Sequence, residues 1–372
     1  MSATLNLDKY IRPSSLGAIA LCEGRPTMEA HVVQLDGEPP ASEVATLGHD
    51  LHARAQHCIE GWKTGEDWAR SILWETGNAE DQGVDSWSIY CLRAALETVR
   101  DLVAKHGIQP DNVLTEQRLD MASLGFPQGG TADVILVIPG DLVVVIDFKF
   151  GFVDQGEAAD HDQLQAYAAA ASETYTASRV LVVLLQPRAE KANRITQARF
   201  DADALRANRS WTMAVINLAR GNNPRLTAGY SQCQFCRALP RCPEARKYIM
   251  DAKEALEIVG KPLDAAGFGA LADAAKLADK FAETGKDIAK ERLSAGLGVS
   301  GWKLGTPRAI RTVTDVPRAL ARLESAGYGA ELGEALSLSL SKLTPTAAAV
   351  IDDQIAEKLS SPPLTQDKKG KG

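Results

Sequence analysis

Asp147 and Lys149 stand at the end of the apolar run "DLVVVIDFKFG", residues 141–151. An acid and an amine are seldom set inside an apolar strand, because a buried charge needs a partner. Upstream, "GGTADVILVIPG" places Asp133 just ahead of a second apolar run. Asp133 and Asp147 are equidistant from Gly140, so a hairpin centred on that glycine sets them opposite one another. Directly opposed residues have Cβ atoms about 4.5–5.5 Å apart. Two carboxylates that close repel unless a proton or a cation lies between them. Period-two alternation puts Lys149 on the face of Asp147, with Thr131 opposite it. This arrangement suits a hard divalent cation held by oxygen ligands, with an amine beside it. The competing reading is a salt-bridged cluster in which Lys149 neutralises one acid.

More side chains converge on that point. Glu116, in "NVLTEQRLDM", offers a third carboxylate from the preceding strand. Gln163 and Tyr167 are spaced i, i+4 in "DHDQLQAYAAAAS" and project from one helix face, where ordinary packing is the alternative. His52 lies beside His49 in "SEVATLGHDLHARAQHCIEGW", although a lone helical histidine is more often structural.

A second chemistry is carried by cysteine. "CQFCRALPRC" supplies Cys233, Cys236 and Cys242, three thiolates that need a fourth ligand. Cys22, Cys58 and Cys91 are the candidates, and Cys58 and Cys91 read as small buried apolar residues. Four thiolates suit either an iron–sulfur cluster or structural zinc.

The elements that must position these groups follow from pattern. "RPSSLGAIALCEGRP" reads as a short helix capped by Ser14 or Ser15, and residues 42–61 and 85–105 as longer helices. Residues 62–83, with Trp62, Trp68 and Trp74, read as irregular; the tryptophans suit packing better than base stacking. Residues 112–121, 131–138 and 142–150 read as strands, 160–172 as a helix, 179–188 as a strand and 200–221 as a helix. Strand, hairpin, crossover helix, strand gives an α/β fold with a mixed central sheet. Beyond residue 250 an alanine-rich, mainly helical extension is expected to about residue 360, and a disordered tail over 361–372.

Composition narrows the partners. No apolar run approaches a membrane span, and the polar start has no signal-peptide pattern, so a cytoplasmic protein is expected. A net charge of −7 gives no general attraction for DNA, so binding would use a local basic surface or metal ions. Lys303, Arg308, Arg311, Arg318 and Arg322 form the best basic stripe, which reads equally as a solvated face. No phosphate-binding Gly-rich loop of the motor type occurs, so any unwinding would come from a partner.

Taken in order, "GHDLH", "TEQ", "GGTAD", "DFK" and "QLQAY" resemble the active-site series of the PD-(D/E)XK nucleases, in their RecB-like branch. The match runs over roughly residues 10–250 and falls on His52, Glu116, Asp133, Asp147, Lys149, Gln163 and Tyr167. More narrowly, "GTADVILVIPGDLVVVIDFKFG" and "SGWKLG" resemble a phage and prophage family of such nucleases. The resemblance implies a restriction-endonuclease-like fold and Mg²⁺- or Mn²⁺-dependent hydrolysis of DNA. It assigns His52, Asp133, Asp147 and the Phe148 carbonyl to the metal, and Lys149 to the attacking water. Glu116, Gln163 and Tyr167 join the catalytic set, with Gln163 and Tyr167 buttressing the site or touching DNA. An exonuclease of phage recombination, repair or replication in a bacterial host is implied, working with a helicase, single-strand-binding protein or recombinase. A non-catalytic DNA-binding recombination scaffold is the alternative. The cysteine spacing resembles the [4Fe–4S] members of that branch, AddB among them, which implies Cys22, Cys233, Cys236 and Cys242 as ligands; structural Zn²⁺ is the second reading.

Overall fold

A computed structural model of the chain describes residues 5–37, 43–82, 84–151, 153–189, 194–257, 265–299 and 302. Five strands form one sheet in the order β1 (Val113–Met121), β2 (Phe126–Ile138), β3 (Leu142–Phe148), β4 (Arg179–Leu185) and β5 (Ile195–Phe200). Pairing is antiparallel except between β3 and β4, which run parallel. The parallel pair requires a crossover, and α6 (Asp162–Thr174) supplies it. The expected α/β architecture, a mixed sheet flanked by helices with a helical C-terminal region, is what forms.

The hairpin register is the symmetric one. Ile135 pairs with Val145 and Ile138 with Leu142, with Gly140 in the turn at φ 73°. Both faces of β3 are covered, so all its residues but Asp147 are apolar. Val143 and Val145 join the core beneath α6 and α7 (Ala202–Ala219). Leu142, Val144, Ile146 and Phe148 join a second core with α3 (Glu43–Lys63) and α5 (Ser86–His106). Five alanines from Ala166 to Ala171 are buried along α6, and these small side chains let the helix lie close on the sheet.

Residues 62–83 are not irregular as expected. They include α4 (Trp68–Asp81), started by Asp67, whose side chain accepts from the Arg70 N–H. Its buried face is Ser71, Ile72, Glu75, Thr76 and Ala79. Polar residues fill most of that face, with Ile72 its one large apolar side chain. Trp62 and Trp68 stack at 4.8 Å against the α3–α5 core, which is the packing role expected of them, whereas Trp74 is exposed. Two further elements depart from the expected order. The helix α2 (Arg25–Asp36) follows α1 (Leu16–Leu21), and the edge strand β5 alternates between exposed and half-buried positions, without an apolar run.

After α7 come the single turn α8 (Tyr230–Cys233), α9 (Pro243–Glu257) and α10 (Ala265–Ser294). Two compact units meet in sequence at Lys286 and Asp287, within α10. The stripe from Lys303 to Arg322 and the tail 361–372 lie outside the described residues. Among the described residues, no helix is long and apolar enough to cross a membrane.

Candidate active site

Three neighbouring strands bring their acids together at one end of the sheet. Asp147 is the penultimate residue of β3 and is buried. Continuing the β2–β3 register by one pair places Asp133 opposite it, as the spacing predicted. The flanking pairs Thr115–Val134 and Gln117–Ala132 set Glu116 across from Asp133 on the other side. Glu116 itself has φ 44°, a left-handed backbone that costs a non-glycine residue about 1–3 kcal/mol. Such strain inside a strand is retained where the surroundings dictate it, and here the Glu116 carboxylate is brought to His52 and Asp133. Ligand atoms of His52, Glu116 and Asp133 all lie within 4.8 Å of one another.

His52 enters from α3. Its Nδ1 is 3.2 Å from Asp133 Oδ1, and its ring stands edge-on to Phe150 with centroids 5.2 Å apart. Burial disfavours its charged form, but the Asp133 hydrogen bond, then the charges of Asp133, Asp147 and Glu116, outweigh this and raise its pKa. Burial raises the Asp133 pKa; the His52 hydrogen bond opposes the rise and the Asp147 charge adds to it. Glu116 is raised by burial first and then by Asp133. Three acids near one another, two of them displaced upward, form a site that gains from a cation. The donor set of carboxylate oxygens and one imidazole fits Mg²⁺ or Mn²⁺.

Beside this group lies a second, tighter constellation. Lys149 Nζ is 2.6 Å from Asp147 Oδ2 and donates to Gln163 Oε1 at 3.0 Å. Gln163 returns a hydrogen bond from Nε2 to Asp147 Oδ1 at 3.2 Å. Asp147 Oδ2 has the ammonium charge beside it, yet receives no well-directed hydrogen bond. That leaves an oxygen lone pair for another ligand. Lys149 lies just past β3, but its N–H still bonds to Leu185 O at 2.8 Å. The chain therefore stays extended, and the amine emerges on the side of Asp147.

The backbone of Phe148 serves this site directly. Its N–H donates to Asp133 Oδ2, and its ring packs against His52 at 6.0 Å. Tyr167, one turn beyond Gln163, is buried and donates from its hydroxyl to Thr131 O at 2.8 Å. Burial lifts that phenol above its ordinary range. Gly130 is required here, since a Cβ would stand 2.6 Å from Tyr167 Cε1 and 2.9 Å from Met121 Sδ. The expected set thus comes together, though grouped differently. Glu116 shares the tight three-ligand group, while Asp147 is engaged by Lys149 and Gln163. His49, exposed on α3, also acts on Glu116 by lowering its pKa.

The cysteines gather elsewhere. Cys22 caps the C-terminus of α1, Cys233 ends α8, Cys236 lies in the following turn, and Cys242 precedes α9. Cys22 Sγ accepts from the Thr227 N–H at 3.4 Å, across 205 positions of sequence. Burial raises the thiol pKa of Cys22 and of Cys233, and it pushes the Cys236 thiol up to about 12. Smaller upward pushes come from Cys242 on Cys22, from Cys22 and Cys242 on Cys233, and from Cys233 on Cys236. All six cysteines are free thiols, and Cys58 and Cys91 lie apart from these four in the α3–α5 core.

Arg25 and Glu29, which pattern did not single out, hold this region together. Arg25 donates from Nε to Glu29 Oε1 at 3.1 Å and from its two terminal nitrogens to Gln232 O at 3.1 Å and Phe235 O at 3.0 Å. Arg25 follows Cys22 by three positions, the one sequence signal that could have marked it.

No curated protein matches the chain. One solved structure, titled "Crystal structure of SSO0001", is 19% identical and covers 61% of this chain and 84% of its own, with a TM-score of 0.31. A superposition that loose carries no argument. The profile of the family described as "Protein of unknown function (DUF2800)" matches residues 30–367, and the chain belongs to that family.

Proposed function

We propose that the protein is a Mg²⁺- or Mn²⁺-dependent deoxyribonuclease that hydrolyses phosphodiester bonds, of the PD-(D/E)XK type and acting as an exonuclease in phage or prophage DNA metabolism. The observation that carries this reading is the close group of His52, Glu116 and Asp133 directly beside the Asp147–Lys149–Gln163 set. His52, Glu116, Asp133 and Asp147 would hold the divalent ion, with the Phe148 carbonyl as the further ligand the resemblance implies. The ion supplies charge stabilisation at the phosphate and lowers the pKa of water. Lys149 Nζ has one contact to Asp147 and one to Gln163, which leaves a third N–H to orient the attacking water. Gln163 fixes the height of the amine, and Tyr167 anchors α6 to β2 through Thr131.

Cys22, Cys233, Cys236 and Cys242 would hold a [4Fe–4S] cluster that staples the two ends of the nuclease domain. Four thiolates about 2.3 Å from one zinc ion stand about 3.8 Å apart. Among the described residues, the three-residue ligand group within 4.8 Å is the His52 group, and no three cysteine sulfurs meet that spacing. Structural Zn²⁺, held by the same four thiolates, is the second reading.

The test is incubation of the full chain with end-labelled single- and double-stranded DNA and Mn²⁺ or Mg²⁺, beside Lys149→Ala and Asp147→Ala. Metal-dependent cleavage lost in both folded variants supports the reading. DNA binding without cleavage in the parent chain would replace it with the scaffold alternative.

A further inference from the structure

Residues 22–29 and 225–237 are joined by more than thiols. Gly24 N–H donates to Arg225 O at 2.9 Å, and Arg225 N–H to Glu23 Oε2 at 3.1 Å. Arg25 then reaches across to the carbonyls of Gln232 and Phe235, the residues immediately before Cys233 and Cys236. Its third contact, Glu29 Oε1, also accepts from the Arg237 N–H at 3.1 Å. Glu29 is only 4% exposed, and the Arg25 side chain only 11%. A buried carboxylate therefore holds both the guanidinium and the backbone that follows Cys236.

We infer that Arg25, locked by Glu29, is the positioning residue that assembles the four-thiol site, by fixing the backbone on either side of Cys233 and Cys236 against the turn that carries Cys22. The inference rests on the reading of these cysteines as a metal-binding set. A planar guanidinium is needed, because one group must point three donors along fixed directions. It also places a cation beside Cys22, Cys233 and Cys236. A metal–tetrathiolate centre carries net negative charge, so the same cation stabilises the loaded site. Lysine keeps that charge but cannot reach two carbonyls and a carboxylate together, which separates the two contributions.

The test compares the full parent chain with Arg25→Gln, Arg25→Lys and Glu29→Gln, all purified anaerobically and checked for fold by circular dichroism. Iron, sulfide and zinc per chain are measured, with the rate of metal loss to a chelator. Outer partners of metal ligands typically change affinity about 10–100-fold. Arg25→Gln should lose metal faster by a factor in that range, with Arg25→Lys and Glu29→Gln between it and the parent. Release within about twofold of the parent in Arg25→Gln would overturn the inference. A parent chain that takes up neither iron nor zinc would defeat the metal reading instead. In that case backbone amide exchange of the metal-free chains decides the remainder: the amides of residues 232–237 should exchange faster in Arg25→Gln, and equal rates would overturn the latch as well. If Arg25→Gln does not fold, Glu29→Gln is judged by the same two measurements.

Discussion

Gln163 donates from Nε2 to Asp147 Oδ1 at 3.2 Å, across the junction of α6 and β3. Its other amide atom accepts from Lys149 at 3.0 Å, so one side chain holds acid and amine in a fixed relation. The amide is buried and uses both ends, which suits a part whose loss affects geometry before it affects binding.

Gln163→Ala should therefore lower kcat for DNA cleavage by about 10–100-fold, the usual effect of losing a group that orients reacting residues. Mn²⁺ affinity, measured by calorimetry, should fall less than kcat, because His52, Glu116 and Asp133 keep their contacts and only Asp147 loses a partner. A variant that loses metal affinity in proportion to kcat would show that Gln163 acts on the metal group instead.

Asp133 lies between Glu116 and Asp147, and burial together with the Asp147 charge raises its pKa. Without a cation this is a destabilising arrangement. Thermal unfolding of the parent chain in a chelator should occur at lower temperature than with saturating Mn²⁺, since binding the folded state alone stabilises it by about 2.7 kcal/mol at a hundredfold excess over Kd. Asp133→Asn should be at least as stable as the parent in chelator, yet gain little from Mn²⁺. An equal Mn²⁺ gain in both chains would remove Asp133 from the metal group.

The readability of this site from sequence was uneven for physical reasons. Asp133, Asp147 and Lys149 were visible because strand alternation and a hairpin centred on Gly140 leave few registers. The strain at Glu116 has no sequence mark, since nothing in "TEQ" distinguishes a left-handed glutamate from an extended one. α4 was hidden by a buried face that includes Glu75, which is satisfied by Arg54 and His57 rather than by apolar packing. β5 was hidden because an edge strand need not be apolar. Pairing of Cys22 with the distant cysteines came from resemblance alone, because contacts across 200 positions leave no local pattern.

Gly130 tests the seating of α6. A methyl group there would meet Tyr167 Cε1 at 2.6 Å, and Met121 Sδ and Pro13 Cγ at 2.9 Å. All three belong to packed surroundings, so Gly130→Ala should destabilise by about 1–3 kcal/mol, as overpacking does. Urea denaturation measures this directly. Unchanged stability would mean that α6 can retreat from β2, and the Tyr167–Thr131 hydrogen bond would then be dispensable.

Asp162 gives a prediction with a definite sign in pH. It sits in the first turn of α6, close against Gly17 of α1. Burial, and then the Asp160 charge, raise its pKa from 3.8 to about 6. Below the lower value it is protonated whether folded or unfolded, and it has no effect on stability. Between the two values the folded chain holds a proton that the unfolded chain releases, so stability falls as pH rises through this window. Above about pH 6 the loss is complete. A shift of that size corresponds to roughly 3 kcal/mol, and the helix N-terminus offsets up to about 1 kcal/mol of it. Asp162→Asn should thus be more stable than the parent by about 2 kcal/mol at pH 7.5 and nearly equal to it at pH 4. The check is urea denaturation of both chains at the two pH values. A variant no more stable than the parent at pH 7.5 would show that the Asp162 carboxylate is better solvated, or better paired, than its position between α1 and α6 implies.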